Sequence, residues 1–304
     1  MNPDTRIDKR ALRHSFNRAA ASYDAAAVLQ FEVCERMLSR LDYLKPLRGM
    51  MLDVGSGTGY GSRKLATRYP DNPLVAVDIA LAMHHRAQGL NLSTAAWWQK
   101  FMPGAKVAQA TRYLAGDVEA LPIKAASASM VWSNLTVQWC NDLGLAFAEI
   151  HRVLQVEGLF MFSTFGPDTL KELRQAFGGM DAYTHFNRFV DMHDIGDLLV
   201  RQGFATPVID MEIITLTYAE AIDVMRDLQA IGAHNVTAGR RPGLSGKNAW
   251  QKAVRVYEGL RKDGKLPATF EVIYGHAWKP PARPKTKLDD GRQIIQFDPY
   301  RPSG

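Results

Sequence analysis

"LDVGSGTGYGSRKLA", residues 52–66, sets Gly55, Gly57, Gly59 and Gly61 at alternate positions between an apolar run and a helix-like segment. Glycine tolerates positive φ and lets a ligand approach the backbone. A helix starting just after such a turn offers free N–H groups to an anion. The stretch reads as the strand–turn–helix that opens an α/β cofactor-binding fold. Its spacing narrows the ligand. A phosphate loop, G-x-x-x-x-G-K-[ST], is excluded because no lysine stands at the required offset. The dinucleotide fingerprint G-x-G-x-x-G fails as well. Counting from Gly55 puts Tyr60 in the third place, and counting from Gly57 puts Ser62 there. What remains is D-x-G-x-G-x-G, made of Asp53, Gly55, Ser56, Gly57 and Gly59.

Outward from the turn, strand and helix patterns alternate. "MMLDVG" leads to a helix from about Thr58, "PLVAVD" to one from about Leu81, then come "ATRYLAGD", "ASMVWSN", a helix with Leu143, Phe147, Ile150 and Leu154 on one face, and "GLFMFSTF". Such alternation predicts a doubly wound parallel sheet with helices on both sides. Residues 89–110 read as a long flap between the second helix and third strand, packed down by Trp97 and Trp98. Beyond the fifth strand follow a loop with "HFNRF", a helix near "DMHDIGDLLVRQGF" and a strand "PVIDMEIITLTY". Helical segments near 218–232 and 248–261 form a cap, inserted at about 218–265, before the strand-like "ATFEVIYGHAW". An N-terminal helical arm, 1–45, carries Phe31, Cys34, Leu38 and Leu41 at helical spacing, with Ser22 or Asp24 as its cap. The main domain spans 46–278, and the Pro-bearing tail 279–304 is expected to be disordered.

Three strand-end carboxylates then narrow the ligand further. Asp53 stands before the glycines, where it can face an ammonium group. Asp78, followed by Ile79, ends the next strand about twenty residues on, where two ribose hydroxyls can donate to one carboxylate. Asp117 in "LAGDVEALP" can accept from an adenine amino group while the N–H of Val118 meets a ring nitrogen. Asn134 and Leu135 end the fourth strand beside the crevice at the switch point. A single acidic strand end is commonly a helix cap, but three in register with the turn describe S-adenosylmethionine. At these residues the chain resembles the class I S-adenosylmethionine-dependent methyltransferases over residues 50–165. The resemblance implies a Rossmann-like, seven-stranded, mostly parallel sheet, with "ATFEVIYGHAW" as its antiparallel last strand. Ala80 departs from the serine that many relatives place after the ribose-binding acid.

Further phrases, "FNRAAASYD", "DVEALPI", "WSNLTVQWC", "EIHRVL", "FSTFGPDTLKELR", "HFNRFVDMHDIGDLL" and "VMRDLQAIGAHN", are similar to malonyl-acyl-carrier-protein O-methyltransferases of biotin synthesis. That resemblance implies methylation of the free carboxylate of a malonyl thioester. A carboxylate with a pKa of roughly 4 is ionised near neutrality, so no general base is needed. Arg188 in "HFNRF" is the candidate for orienting it, since a guanidinium holds a carboxylate in a fixed plane. Tyr23, in the arm that closes over the cofactor in similar enzymes, is the candidate hydrogen-bond donor. His151 reads as structural, and His185 is left open. The C-terminal phrases are also similar to mitochondrial respiratory-complex assembly factors associated with arginine hydroxylation, and a non-catalytic scaffold that binds the cofactor or a quinone methyltransferase shares the core.

Composition fits these readings. The chain has 304 residues, 46% of them apolar, and a net charge of +6. Eight basic residues fall between Arg240 and Lys265 against two acidic ones. Of these, Arg240, Arg241, Lys247, Lys252 and Arg255 are the candidates for receiving an acidic carrier protein. Cys34 and Cys140 have no metal-like spacing, and no apolar run approaches a membrane span or a secretory signal. A cytoplasmic protein without a metal is expected. Nucleic acid is not the expected acceptor, because no N/D-P-P-[YF] stretch is present.

Overall fold

The computed structural model describes residues 6–101, 110–178, 189–233, 235–239 and 247–282, without the side chains of 92–101 and 247. Its centre is one seven-stranded sheet in the order β3-β2-β1-β4-β5-β7-β6. The strands are β1 (Met50–Val54), β2 (Leu74–Asp78), β3 (Arg112–Ala115), β4 (Ala128–Ser133), β5 (Leu154–Phe165), β6 (Ala205–Tyr218) and β7 (Leu266–Trp278). The first five run parallel, while β7 lies antiparallel between β5 and β6. The doubly wound reading and the antiparallel last strand both hold. Central β4 is buried at every residue, with Ser129 and Ser133 beside Met130, Val131 and Trp132, as expected for a strand covered on both faces.

Helices α4 (Tyr60–Arg68), α5 (Leu81–Phe101), α6 (Leu143–Val153) and α8 (Met192–Arg201) flank the sheet. Helix α6 starts at Asp142, whose side chain accepts from the N–H of Leu145, and it buries Ala146, Phe147, Ile150 and Val153. Phe147 meets Phe160 edge-on at 5.5 Å between ring centroids. Burial of such a ring stabilises by about 1.5–3 kcal/mol. Leu154, grouped with this helix on periodicity, is instead the first residue of β5.

The arm differs from its sequence reading. It contains α1 (Lys9–Ala19), the single turn α2 (Tyr23–Ala26) and α3 (Val28–Arg40). Neither Ser22 nor Asp24 caps the long helix, which begins at Ala27 with no side-chain cap. The Ser22 hydroxyl donates to the carbonyls of Ala19 and Ala230, and Asp24 reaches across to the glycine turn. Residues 89–101 are not a flap but the continuation of α5, and the side chains of Trp97 and Trp98 lie outside the described set. An unforeseen helix, α7 (Lys171–Phe177), follows β5. The cap holds α9 (Ala221–Ala230), opened by a Glu220–Asp223 capping box, and α10 (Lys247–Glu258). The tail begins anchored: Lys279 Nζ donates to the carbonyls of His151 and Leu154, 2.7 Å each. Residues 283–304 lie outside the described set. No helix among the described residues is long and apolar enough to cross a membrane.

Candidate cofactor and acceptor site

The glycine turn sits at the carboxyl ends of β1 and β2, beside the switch point between β1 and β4, where open α/β sheets bind ligands. Gly55, Gly57 and Gly59 all have positive φ, at 74°, 53° and 77°. The N–H groups of Gly55 and Ser56 donate to the carbonyl of Val77, at 2.7 and 3.1 Å. Asp78 completes the turn, its carboxylate accepting from the N–H of Gly57 at 2.9 Å and of Ala80 at 2.8 Å. Burial still pushes the Asp78 carboxyl above its ordinary range, because the backbone donors of Ala80, Gly57 and Ile79 offset only part of the lost hydration.

Asp53 lies behind this turn. It is 2% exposed, and its Oδ2 accepts from Ser62 Oγ at 2.5 Å. Burial pushes its carboxyl up to about 7.

A cavity of about 80 Å³ lies between the turn and the arm. Gly55, Gly57, Asp78, Ile79, Asp117, Val118, Asn134, Leu135 and Tyr23 all line it. The sequence-derived set therefore converges on one space, apart from Asp53, Ser56 and Gly59 in or behind the turn. Lys9, Leu12 and Phe16 of α1 form its outer wall, a contribution the sequence reading missed. Lys9 Nζ pairs with Asp117 at 3.0 Å and Glu119 at 2.5 Å, which raises its pKa despite the opposing effect of burial.

The arm is tied down along its length. Asn141 both donates to and accepts from the backbone of Ile7. Thr58 Oγ1, within the glycine turn, donates to Asp24 at 2.5 Å, and Arg86 of α5 pairs with the other oxygen of Asp24 at 2.9 Å. Asn134 Nδ2 donates to the carbonyl of Gln30. Ligand pockets generally measure roughly 300–1,000 Å³, so the arm as seated closes most of the space over the turn.

A second cavity, of about 970 Å³, opens between the arm, α7 and the cap. Its walls are largely apolar, with Leu29, Phe165, Phe177, Tyr218, Trp250 and Phe270, and its polar groups include Gln30 and Gln138. Trp139 borders both cavities and stands edge-on to Phe16, 5.5 Å between centroids. Gln138 Nε2 donates to the carbonyl of Leu135, a residue held at φ 48° at the end of β4. The signal for Gln138 and Trp139 was present, since both belong to the "WSNLTVQWC" phrase, but nothing local marked them as wall residues.

Other candidates fall elsewhere. Arg188 and His185, with Arg240 and Arg241, lie outside the described residues. Lys252 and Arg255 are exposed on α10 and line neither cavity. Arg261, counted in the basic cluster, is occupied: it pairs with Glu258 and donates to the carbonyls of Ala219 and Gly264. His151 packs edge-on against Phe204 at 5.1 Å, and burial lowers its pKa, in keeping with a structural role.

A glycine turn at the switch point of a sheet with this strand order defines a class I S-adenosylmethionine-dependent methyltransferase. Residues 52–162 match the family described as "Methyltransferase domain". The chain is 60% identical over 300 residues to "Malonyl-[acyl-carrier protein] O-methyltransferase" of Nitrosospira multiformis, with 98% of each chain covered. It is 57% identical over 290 residues to the protein of that name from Gallionella capsiferriformans, covering 95% of this chain and 96% of that one. The chain belongs to the malonyl-[acyl-carrier protein] O-methyltransferase family, and its cofactor is S-adenosylmethionine. Among solved structures, the YcgJ protein of Bacillus subtilis shares the fold at a TM-score of 0.56 and 13% identity, over 81% of this chain and 98% of that one.

Proposed function

We propose that this chain transfers the methyl group of S-adenosylmethionine to the free carboxylate of a malonyl thioester on an acyl carrier protein, masking that charge for biotin synthesis. The meeting of a small glycine-floored cavity and a large apolar one at Trp139 carries the reading. Relatives of that name over nearly the whole chain favour it over the hydroxylase-associated assembly factors.

The turn suits the cofactor. A Cβ built on Gly57 would find only Tyr23 Cε1, at 4.0 Å, so the backbone there is open to a ligand. Ser56 Oγ is buried without a hydrogen-bond partner among the described residues. In this reading Gly55, Ser56, Gly57 and Gly59 hold the methionine end, and a cationic group of the cofactor near Asp53 would favour the ionised form of that buried carboxyl. Asp78 and Ile79 take the ribose, Asp117 and Val118 the adenine, and Asn134 and Leu135 the edge nearest the acceptor. When bound, the cofactor supplies an electrophilic methyl on a sulfonium.

The protein's task is then alignment and exclusion of water. Tyr23 is unsuited to act as a base, because burial and the nearby Asp78 push its phenol well above the ordinary range. It remains an O–H donor toward the carboxylate. Arg188 is proposed to orient the same carboxylate on the strength of its guanidinium chemistry. The apolar second cavity suits a pantetheine arm, and Gln30 Oε1, buried with no partner among the described residues, can accept one of its amide N–H groups. Lys252 and Arg255, with Arg240, Arg241 and Lys247, are proposed to attract the carrier. Incubation with methyl-labelled S-adenosylmethionine and malonyl-carrier tests the function. Label on the carrier is expected, and label on none of malonyl-carrier, malonyl-CoA or other short acyl carriers would refute it.

A further inference from the structure

We infer that the exposed basic stripe of α1, made of Arg10, Arg13, His14 and Arg18, is the principal docking surface for the acidic carrier protein. The inference rests on the reading of a malonyl-carrier as acceptor.

Helix α1, KRALRHSFNRA, holds five basic or histidine side chains and no acidic one. Lys9 is turned inward and held by Asp117 and Glu119. Arg10, Arg13, His14 and Arg18 are exposed, and among the described residues none of them makes an ion pair. Their spacing, i, i+3, i+4 and i+8, gathers them on one side of the helix. Arg10 and Arg13, three residues apart, are like charges that weaken a helix, and Arg10 in the first turn also opposes the helix dipole. The Asp8 cap relieves the N-terminal end and Arg18 suits the C-terminal end, but the exposed cations along the stripe have no ion-pair partner among the described residues, and an acidic protein would supply one.

The stripe is also presented firmly. Asn17 Oδ1 accepts from the N–H of Ala82 at 2.9 Å, and Ser15 Oγ donates to the carbonyl of Gly232 at 3.0 Å, fixing the opposite sides of α1 to α5 and the cap. His14 and Arg18 line the large cavity, so a prosthetic arm from a protein seated on the stripe enters it directly. Lys252 and Arg255 have no such continuity with the cavity. A membrane surface is the poorer partner. An interfacial helix turns its apolar face outward into lipid, but α1 buries Leu12 and Ala19 and turns Phe16 onto Trp139.

The test uses the full chain and Arg10→Glu/Arg13→Glu, two positions that line neither cavity. With malonyl-carrier the KM is expected to rise about tenfold or more at unchanged kcat, while the KM for malonyl-CoA and the cofactor affinity stay put. Lys252→Glu/Arg255→Glu is expected to raise the carrier KM by a smaller factor. An unchanged carrier KM in the α1 variant, with the wild type active, overturns the inference and leaves the methyltransferase reading standing. So does an equal loss with malonyl-CoA, which would mean that the stripe reads the phosphate and not the carrier. Binding of the wild type to phosphatidylglycerol vesicles that the variant loses, with carrier kinetics intact, would assign the stripe to a membrane. A wild type inert on both thioesters overturns the reading itself and the inference with it.

Discussion

Gly55 and Gly57 occupy one turn for different reasons, and substitution separates them. At Gly55, φ is 74° and an added Cβ would stand 2.0 Å from Thr136 Oγ1, 2.2 Å from its Cγ2 and 2.6 Å from its Cβ. Rotating the threonine cannot relieve a clash that includes its own Cβ, so the chain after β4 must move. The left-handed backbone costs roughly 1–2 kcal/mol for an L-residue and overpacking a further 1–3 kcal/mol, about 2–5 kcal/mol in all. Gly57, at φ 53° with nothing nearer than 4.0 Å, bears only the first cost. Gly55→Ala is therefore expected to destabilise the apo chain by about 2–5 kcal/mol in urea titrations, and Gly57→Ala by about 1–2 kcal/mol. Thr136→Gly removes all three of these atoms, so Gly55→Ala/Thr136→Gly should show a favourable coupling of roughly 1–3 kcal/mol, absent when Thr136→Gly is paired with Gly57→Ala. Gly57→Ala should instead weaken cofactor binding in calorimetry more than it weakens the fold. Strict additivity of Gly55→Ala with Thr136→Gly, or equal destabilisation by the two alanines, would refute the reasoning.

Three further outcomes are expected. Asp53 titrates at about 7 when folded, against 3.8 ordinarily. Between those values the folded chain holds a proton that the unfolded chain releases, so stability falls as pH rises through that window. Asp53→Asn should flatten this slope in thermal unfolding from pH 4 to 8, and an identical slope would count against the burial of that charge. Asp24→Asn loses the charge that pairs with Arg86 and holds Thr58. It should loosen the arm, seen as faster proteolysis before residue 45, and weaken cofactor affinity about 5- to 30-fold, as loss of charged hydrogen bonds worth roughly 1–2 kcal/mol implies. Gln138→Glu places a negative charge on the wall of the large cavity proposed for the acceptor. It should lower kcat/KM for malonyl-carrier by about 10-fold or more through repulsion of the substrate carboxylate, with cofactor affinity retained.

The centre of the sheet was legible because β1, β2 and β4 are runs of five or six mostly apolar residues punctuated by the glycine turn and by the acidic end of β2, all local signals. The turn was legible for the same reason, and eight of its residues and their companions line one cavity with Tyr23. Helix α1 was not, because its apolar face is only Leu12, Phe16 and Ala19 amid basic residues, too sparse a period to stand out. The length of α5 was hidden by Gly89 and a run of small and aromatic residues, which read as a break. Asp24 looked like a helix cap because its partners, Thr58 and Arg86, are distant in sequence. Asp53 belongs to the motif by spacing, yet only the fold shows that Ser62 covers its carboxylate from behind the turn.

If a malonyl carboxylate receives the methyl group, intact-mass analysis of malonyl-carrier after reaction with S-adenosylmethionine will show it. A gain of one methylene, lost on mild base treatment and absent from acetyl-carrier, is the expected result. Methylation that survives base, or that appears equally on acetyl-carrier, would place the methyl group elsewhere and contradict it.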